Sequence, residues 1–119
     1  EGMSYVRSRG LKSIAAHEGR MLDTMLDGLN GCAGLEIFSG APGTQSGVLS
    51  FRPLHGDCES LAQQLSERGI CVRSGLHCAP YAHRSAGTLE TGTIRASFSP
   101  FTDEACVKKC CSVLRELLQ

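Results

Sequence analysis

Residues 93–98, TIRASF, alternate apolar and polar side chains one by one. Successive strand side chains point to opposite faces, so Ile94, Ala96 and Phe98 share one face while Arg95 and Ser97 share the other. Such a strand wants one covered face and one polar face, which is the habit of antiparallel sheets. The fold must lay an apolar layer against one side of a sheet and leave the other side for water or a ligand.

Helical periods elsewhere supply the covering layer. From about Lys12 to Leu29, the residues Ile14, Met21, Leu22, Met25, Leu26 and Leu29 recur at spacings of three, four and seven. Before it, residues 2–9 read as a helix end closed by Gly10 in the left-handed cap position. Residues 35–39 (LEIFS) and 47–52 (GVLSFR) read as strands, and GAPGTQSG, residues 40–47, reads as their hairpin connection. A phosphate-binding role for that glycine-rich loop is disfavoured, because a strand follows it rather than a helix N-terminus.

Asp57 is the expected cap of a helix with Leu61, Ala62 and Leu65 inward, stopped at Gly69. Residues 70–73 (ICVR) then suggest a short buried strand. A last helix is expected from Thr102 as N-cap with Asp103 and Glu104 in the first turn. Its expected apolar stripe is Cys106, Cys110, Val113, Leu114 and Leu117. The order predicts an α+β two-layer sandwich, a small, mainly antiparallel sheet with helices packed on one face. At 119 residues the chain fits one domain.

Charge and hydropathy narrow the class of function. Twelve basic side chains balance twelve acidic ones, so no global field would gather nucleic acid or an anionic membrane. No apolar run approaches the roughly 18 residues of a membrane span, and no signal-peptide pattern opens the chain. Seven cysteines cannot all pair. Cys32, Cys58, Cys71, Cys106 and Cys110 fall where apolar side chains are expected, the use made of reduced thiols in a cytoplasmic protein. The chain opens Glu-Gly-Met and runs at once into a helical pattern, which suggests a piece of something longer.

Residues 74–92 show no period, and structureless loops of that length are uncommon in compact domains unless functional or disordered. Within them lies VRSGLHCAPYAH, residues 72–83. Cys78 is the one cysteine placed in a polar loop, and a thiol turns nucleophilic where positive charge favours its thiolate. Arg73 and His77 are near in sequence, and Arg95 borders the same loop from its strand. A structural thiol at a turn fits the same pattern. A metal site of His77, Cys78, His83 and Cys71 is the weaker alternative, since the paired short cysteine spacings of zinc sites are lacking. Arg95 suits a carboxylate, which a guanidinium grips by two parallel hydrogen bonds. His17, His55 and His83 carry no pattern and are expected at the surface.

RSGLHCAP followed by GTIRASFSPFTDE resembles the C-terminal domain of cysteine desulfurases, members of the class V aminotransferase family on the fold-type I scaffold of pyridoxal-phosphate enzymes. The resemblance extends over essentially all 119 residues and is most specific at 73–98. It implies that Cys78 attacks the sulfur of cofactor-bound L-cysteine, keeps it as a persulfide and releases alanine. Arg95 matches the position that binds the substrate carboxylate. Arg73 and His77 match the residues that shape the loop's electrostatics, His77 beside the nucleophile. Leu76 departs from the second histidine of many relatives, and GTLETG, residues 87–92, lengthens the stretch between Cys78 and Arg95.

Pyridoxal phosphate needs a lysine to anchor it. Lys12, Lys108 and Lys109 are the only three, at a helix start and on the polar side of the last helix. The resemblance places the anchoring lysine and phosphate cup in a large domain absent from residues 1–119. It implies an inactive fragment that binds no cofactor alone, a homodimeric parent, a sulfur-acceptor protein as partner, and no nucleic acid or membrane. Two other readings stand beside it: another class V aminotransferase or a selenocysteine lyase, and a cofactor-free sulfur-relay or thiol-binding module.

Overall fold

The computed structural model describes residues 1–118. Five helices and four strands follow in chain order: α1 (Gly2–Arg9), α2 (Leu11–Leu29), β1 (Leu35–Phe38), β2 (Val48–Pro53), α3 (Cys58–Glu67), β3 (Arg73–Gly75), α4 (Pro80–Ala86), β4 (Thr93–Ser97) and α5 (Glu104–Leu117). The strands form one antiparallel sheet in the order β1-β2-β4-β3. The expected α+β sandwich is the observed one, except that the short α4 lies over the opposite, polar face of the sheet.

Strand alternation sorts the two faces. Leu49 and Phe51 of β2 stand with Ile94 and Ala96 of β4 on the core side, all buried. Over them lie Met21, Leu22, Met25 and Leu29 of α2, Leu61 and Leu65 of α3, and Val107, Cys110, Val113 and Leu114 of α5. Between α2 and α5 the helices nearly touch at Gly28, where an added Cβ would sit 2.7 Å from Cys111 Sγ. Arg115 ties the two ends together, donating from Nε to the Gly28 carbonyl at 2.9 Å and from Nη2 to that of Asn30. A cation on the last carbonyls of α2 also meets the negative end of its dipole.

Several local expectations are corrected. Gly10 has the anticipated positive φ of 82° but no helical ψ; it is a one-residue hinge, because α2 begins at Leu11. The strand expected at 70–73 begins only at Arg73. Ile70 and Val72 are half-buried rather than buried, because the segment parts from β4 around a cavity of about 240 Å³ that reaches to α5. Asp103, not Thr102, caps α5 by accepting from the Cys106 amide at 2.7 Å. Thr102 instead closes the preceding turn by accepting from the Ser99 amide.

The inward stripe of α5 consequently runs through Val107 and Cys111, and Leu117 is only half-buried. Cys106, expected in that stripe, is exposed in the first turn, as is Cys71 before β3. Cys78 therefore shares its exposure with two other thiols. Cys58 and Cys110 are buried as expected, and Cys32 is half-buried against the core. His17 is half-buried, its Nε2 2.7 Å from the Thr102 carbonyl, whereas His55 is exposed as anticipated.

The β1–β2 connection closes on itself. Gln45 accepts from the Gly40 amide and donates to the Val48 carbonyl, and Thr44 donates to the Ala41 carbonyl. These bonds consume the loop's polar groups in holding a hairpin, as its composition suggested.

Candidate functional site

The polar face of the sheet carries Glu36 and Phe38 from β1, Ser50 and Arg52 from β2, and Thr93 and Arg95 from β4. Arg52 is occupied: its Nε donates to Glu36 at 2.6 Å and its guanidinium lies over Phe38. Arg95 is not. It is half-buried, its Nε is buried without a hydrogen-bond partner, and it joins none of the ion pairs among the described residues.

The stretch anticipated as structureless is ordered by two glycines and a short helix. Gly75 leaves β3 at φ 114°, and a Cβ on Gly92 would stand 3.1 Å from its backbone, so the two ends of the stretch cross at near contact. Pro80 then opens α4 and Gly87 closes it in the left-handed conformation. Proline at the first helical position and glycine just past the end are the favoured punctuation. Seven residues make too few turns for a period to show, which is why periodicity alone missed this helix.

Between β3 and α4, His77 and Cys78 both have positive φ, 51° and 60°. Non-glycine residues in that region cost on the order of 1–3 kcal/mol each and persist where the surroundings hold them. A turn closed by the Ala79 amide on the Leu76 carbonyl at 2.9 Å does the holding. The turn leaves Cys78 exposed and sends His77 partly inward.

His77 Nε2 lies 3.2 Å from the Thr93 carbonyl. A carbonyl only accepts, so Nε2 carries the proton and Nδ1 carries the lone pair. Nδ1 is buried with no partner. Burial, then the charge of Arg95, hold the His77 pKa below the usual histidine value, against the opposing bond to Thr93; His83 and Arg73 depress it further. The ring is therefore neutral at physiological pH, with an unused acceptor.

His83 is buried rather than at the surface, because α4 turns it toward the sheet. Its Nδ1 is 2.8 Å from Thr88 Oγ1, and its ring centroid is 5.8 Å from that of His77. A cavity of about 370 Å³ opens here. Phe38, Ser50, Thr93 and Arg95 line it from the sheet, His77 and His83 from above, with Ala79, Ala82 and Ala86 as a low wall. The structure thus brings His77 and Arg95 onto one cavity. Cys78, next in sequence to His77, is exposed, and so is Arg73, which pairs with Arg95 across the β3–β4 register. Sequence reasoning named His83 only as a metal-ligand alternative or a surface residue and missed Thr88; the frame of Pro80 and Gly87 was the signal that could have shown their burial. Among the described residues, no three His, Cys, Asp or Glu side chains converge as a metal site would require.

The polar side of this α+β sandwich thus carries an exposed thiol, a half-buried imidazole and a guanidinium that joins none of the ion pairs among the described residues. The chain belongs to the class-V aminotransferase family, whose sequence pattern matches residues 1–110. It is 38% identical over 97 residues to a cysteine desulfurase of Synechococcus elongatus, covering 82% of this chain and 15% of that protein. It is 36% identical over 97 residues to a probable cysteine desulfurase of Methanothermobacter thermautotrophicus, covering 80% of this chain and 24% of the relative. The apo structure of a cysteine desulfurase from Thermococcus onnurineus superposes with a TM-score of 0.92 at 28% identity, over 98% of this chain and 29% of that one. The chain therefore spans about a quarter or less of the curated relatives it matches.

That family implies pyridoxal phosphate, and the described residues do not by themselves fit it. No lysine lines the cavity. Lys12 is exposed at the start of α2, Lys108 pairs with Glu104 at 2.6 Å on the outer side of α5, and Lys109 is exposed near Gly69. What the cavity does offer is a guanidinium from Arg95 and imidazoles from His77 and His83.

Proposed function

We propose that this chain is the C-terminal, substrate-facing domain of a pyridoxal-phosphate-dependent cysteine desulfurase, with Cys78 as its sulfur acceptor. The observation that carries the reading is Arg95: a buried, unpartnered guanidinium nitrogen on the cavity that His77 lines, with the exposed Cys78 next to His77 in sequence. A guanidinium in that state awaits a planar anion, and an amino acid's carboxylate is one. Pyridoxal phosphate, held by parts of the enzyme outside these residues, supplies the electron sink for the substrate.

This chain's residues do the rest. Arg95 grips the carboxylate and Arg73 adds positive potential beside it. Neutral His77 takes up a thiol proton. Cys78 as thiolate attacks the sulfur of L-cysteine; the carbon–sulfur bond breaks with its electron pair kept by the carbon, the persulfide stays on Cys78, and the carbon skeleton takes up a proton and leaves as alanine. The exposed turn then hands the sulfur to an acceptor protein. The parent is a cytoplasmic homodimer, and residues 1–119 alone are inactive and bind no cofactor specifically.

The full-length protein tests this with L-cysteine, by quantifying alanine and mapping persulfide by mass spectrometry. Alanine with persulfide on Cys78 is the expected result. Turnover confined to other amino acids would favour another class V aminotransferase or a selenocysteine lyase. Persulfide exchange with no cofactor requirement would favour a sulfur-relay module.

A further inference from the structure

We propose that His83 is a positioning residue for His77: its ring, anchored by Thr88, holds the His77 ring so that Nε2 donates to Thr93 and Nδ1 is left to accept a proton. The proposal rests on the reading of His77 as the base beside Cys78.

Burying an imidazole costs free energy unless its polar atoms are satisfied, and a leucine or methionine would fill the same space without that cost. Yet His83 is 7% exposed, in a helix whose Tyr81, Ala82, Arg84 and Ser85 all face water, and Thr88, just past the helix end, is 1% exposed. The pair is held by three bonds. His83 Nδ1 meets Thr88 Oγ1 at 2.8 Å, Thr88 Oγ1 meets the His83 carbonyl at 3.4 Å, and the Thr88 amide donates to that carbonyl at 2.8 Å. Thr88 has one hydroxyl hydrogen. Both hydroxyl bonds form together only if Oγ1 donates to the carbonyl and accepts from Nδ1–H. The His83 ring is thereby fixed in tautomer and orientation, as a wall rather than a mobile side chain.

Against that wall the His77 ring packs at 5.8 Å and 43°. His77 is bonded on its other side to a single carbonyl, at 3.2 Å, with Thr93 Oγ1 at 3.3 Å as a competing partner. One bond of that length leaves a ring free to flip. A flip exchanges Nε2 with Cε1 and Nδ1 with Cδ2, so it would break the bond to the carbonyl that fixes the tautomer and turn the free acceptor to the other side of the ring. The fixed face of His83 blocks that rotation. The charged groups facing His77 are Arg95 from β4 and Arg73 from β3, with His83 from α4 and the thiol of Cys78 next in sequence. All but the thiol are basic, so the geometry and the field both keep His77 neutral.

Ring nitrogen spectra of histidine-labelled full-length protein test this directly, alongside steady-state kinetics. His83→Leu fills the space without an anchor, and Thr88→Val keeps the shape without the hydroxyl. Both variants should mix the two His77 tautomers and, with L-cysteine, lower kcat about tenfold while KM stays within about twofold, the pattern of a weakened proton transfer whose complete loss costs about a hundredfold or more. In His83→Leu the His77 titration should move upward. Thr88→Ser should restore the single tautomer. A His77 that keeps its tautomer and midpoint in both variants would overturn the proposal, as would a rise in KM alone. If the wild-type protein makes no alanine from L-cysteine, the desulfurase reading fails, while the ring spectra still decide the positioning role.

Discussion

Arg73 of β3 stands directly opposite Arg95 of β4 in the antiparallel register, so two guanidinium stems leave the same face of the sheet. Like charges directly opposite one another destabilise a sheet. Neither arginine has a carboxylate partner among the described residues, whose ion pairs involve Arg52, Arg68 and Lys108. An anion bound between them would offset that repulsion, which supports the proposed carboxylate position.

Arg95→Lys in the full-length enzyme is therefore expected to reduce kcat/KM for L-cysteine by several-fold to about a hundredfold, on the order of 1–3 kcal/mol for a charged hydrogen bond that a point charge replaces poorly. Cofactor absorbance should not change, because no lysine of this face holds the cofactor. Cys78→Ser should abolish the persulfide while substrate binding survives. Wild-type efficiency in Arg95→Lys would move the carboxylate to Arg73.

Thiol reactivity should follow exposure and environment. Limiting iodoacetamide on folded protein is expected to label Cys78 and Cys71 first. Cys106 should lag although exposed, because its hydrogen bond to Asp103 and the nearby negative charge raise its pKa. Cys58, Cys110 and Cys111 should be protected, with burial pushing Cys110 up to about 12. Peptide mapping decides it: early modification of Cys110 would mean that the inward stripe of α5 is misplaced.

Gly28→Ala should destabilise the domain by about 1–3 kcal/mol, the usual cost of overpacking. The new Cβ would meet Cys111 Sγ at 2.7 Å in the α2–α5 seam. In denaturant melts, pairing it with Cys111→Ala should cost less than the sum of the two single changes, since the second removes the atom the first strikes.

Acid should weaken the fold in two stages. The folded pKa of His77 lies below the ordinary 6.5, so on acidification the unfolded chain takes up that proton first. Its contribution is complete above 6.5 and is lost as pH falls toward the folded value. The caps Asp57 and Asp103 are held below the ordinary 3.8 by the amides and hydroxyl or thiol they bind, so their contribution disappears only at lower pH. Between about pH 7 and about pH 5, His77→Gln should show a shallower loss of Tm than wild type. An equal slope in the two proteins would contradict the assignment of His77 as partly buried and neutral.

The polar and apolar faces of β4, the inward side of α2, and the motif that strings Arg73, His77, Cys78 and Arg95 together were all legible before any coordinates. Each is a relation between residues a few positions apart, and helix or strand geometry converts such spacing directly into a shared face. The exposure of Cys71 and Cys106, the late start of β3 and the burial of His83 were not legible. Whether a side chain is covered depends on what lies across the sheet or over the helix, and those neighbours are distant in sequence. The site divides the same way. Local sequence placed an arginine on a strand and a thiol in a turn, whereas the register of β3 on β4 set Arg73 against Arg95. The packing of α4 on the polar face brought His83 against His77, because only the folded chain closes those distances.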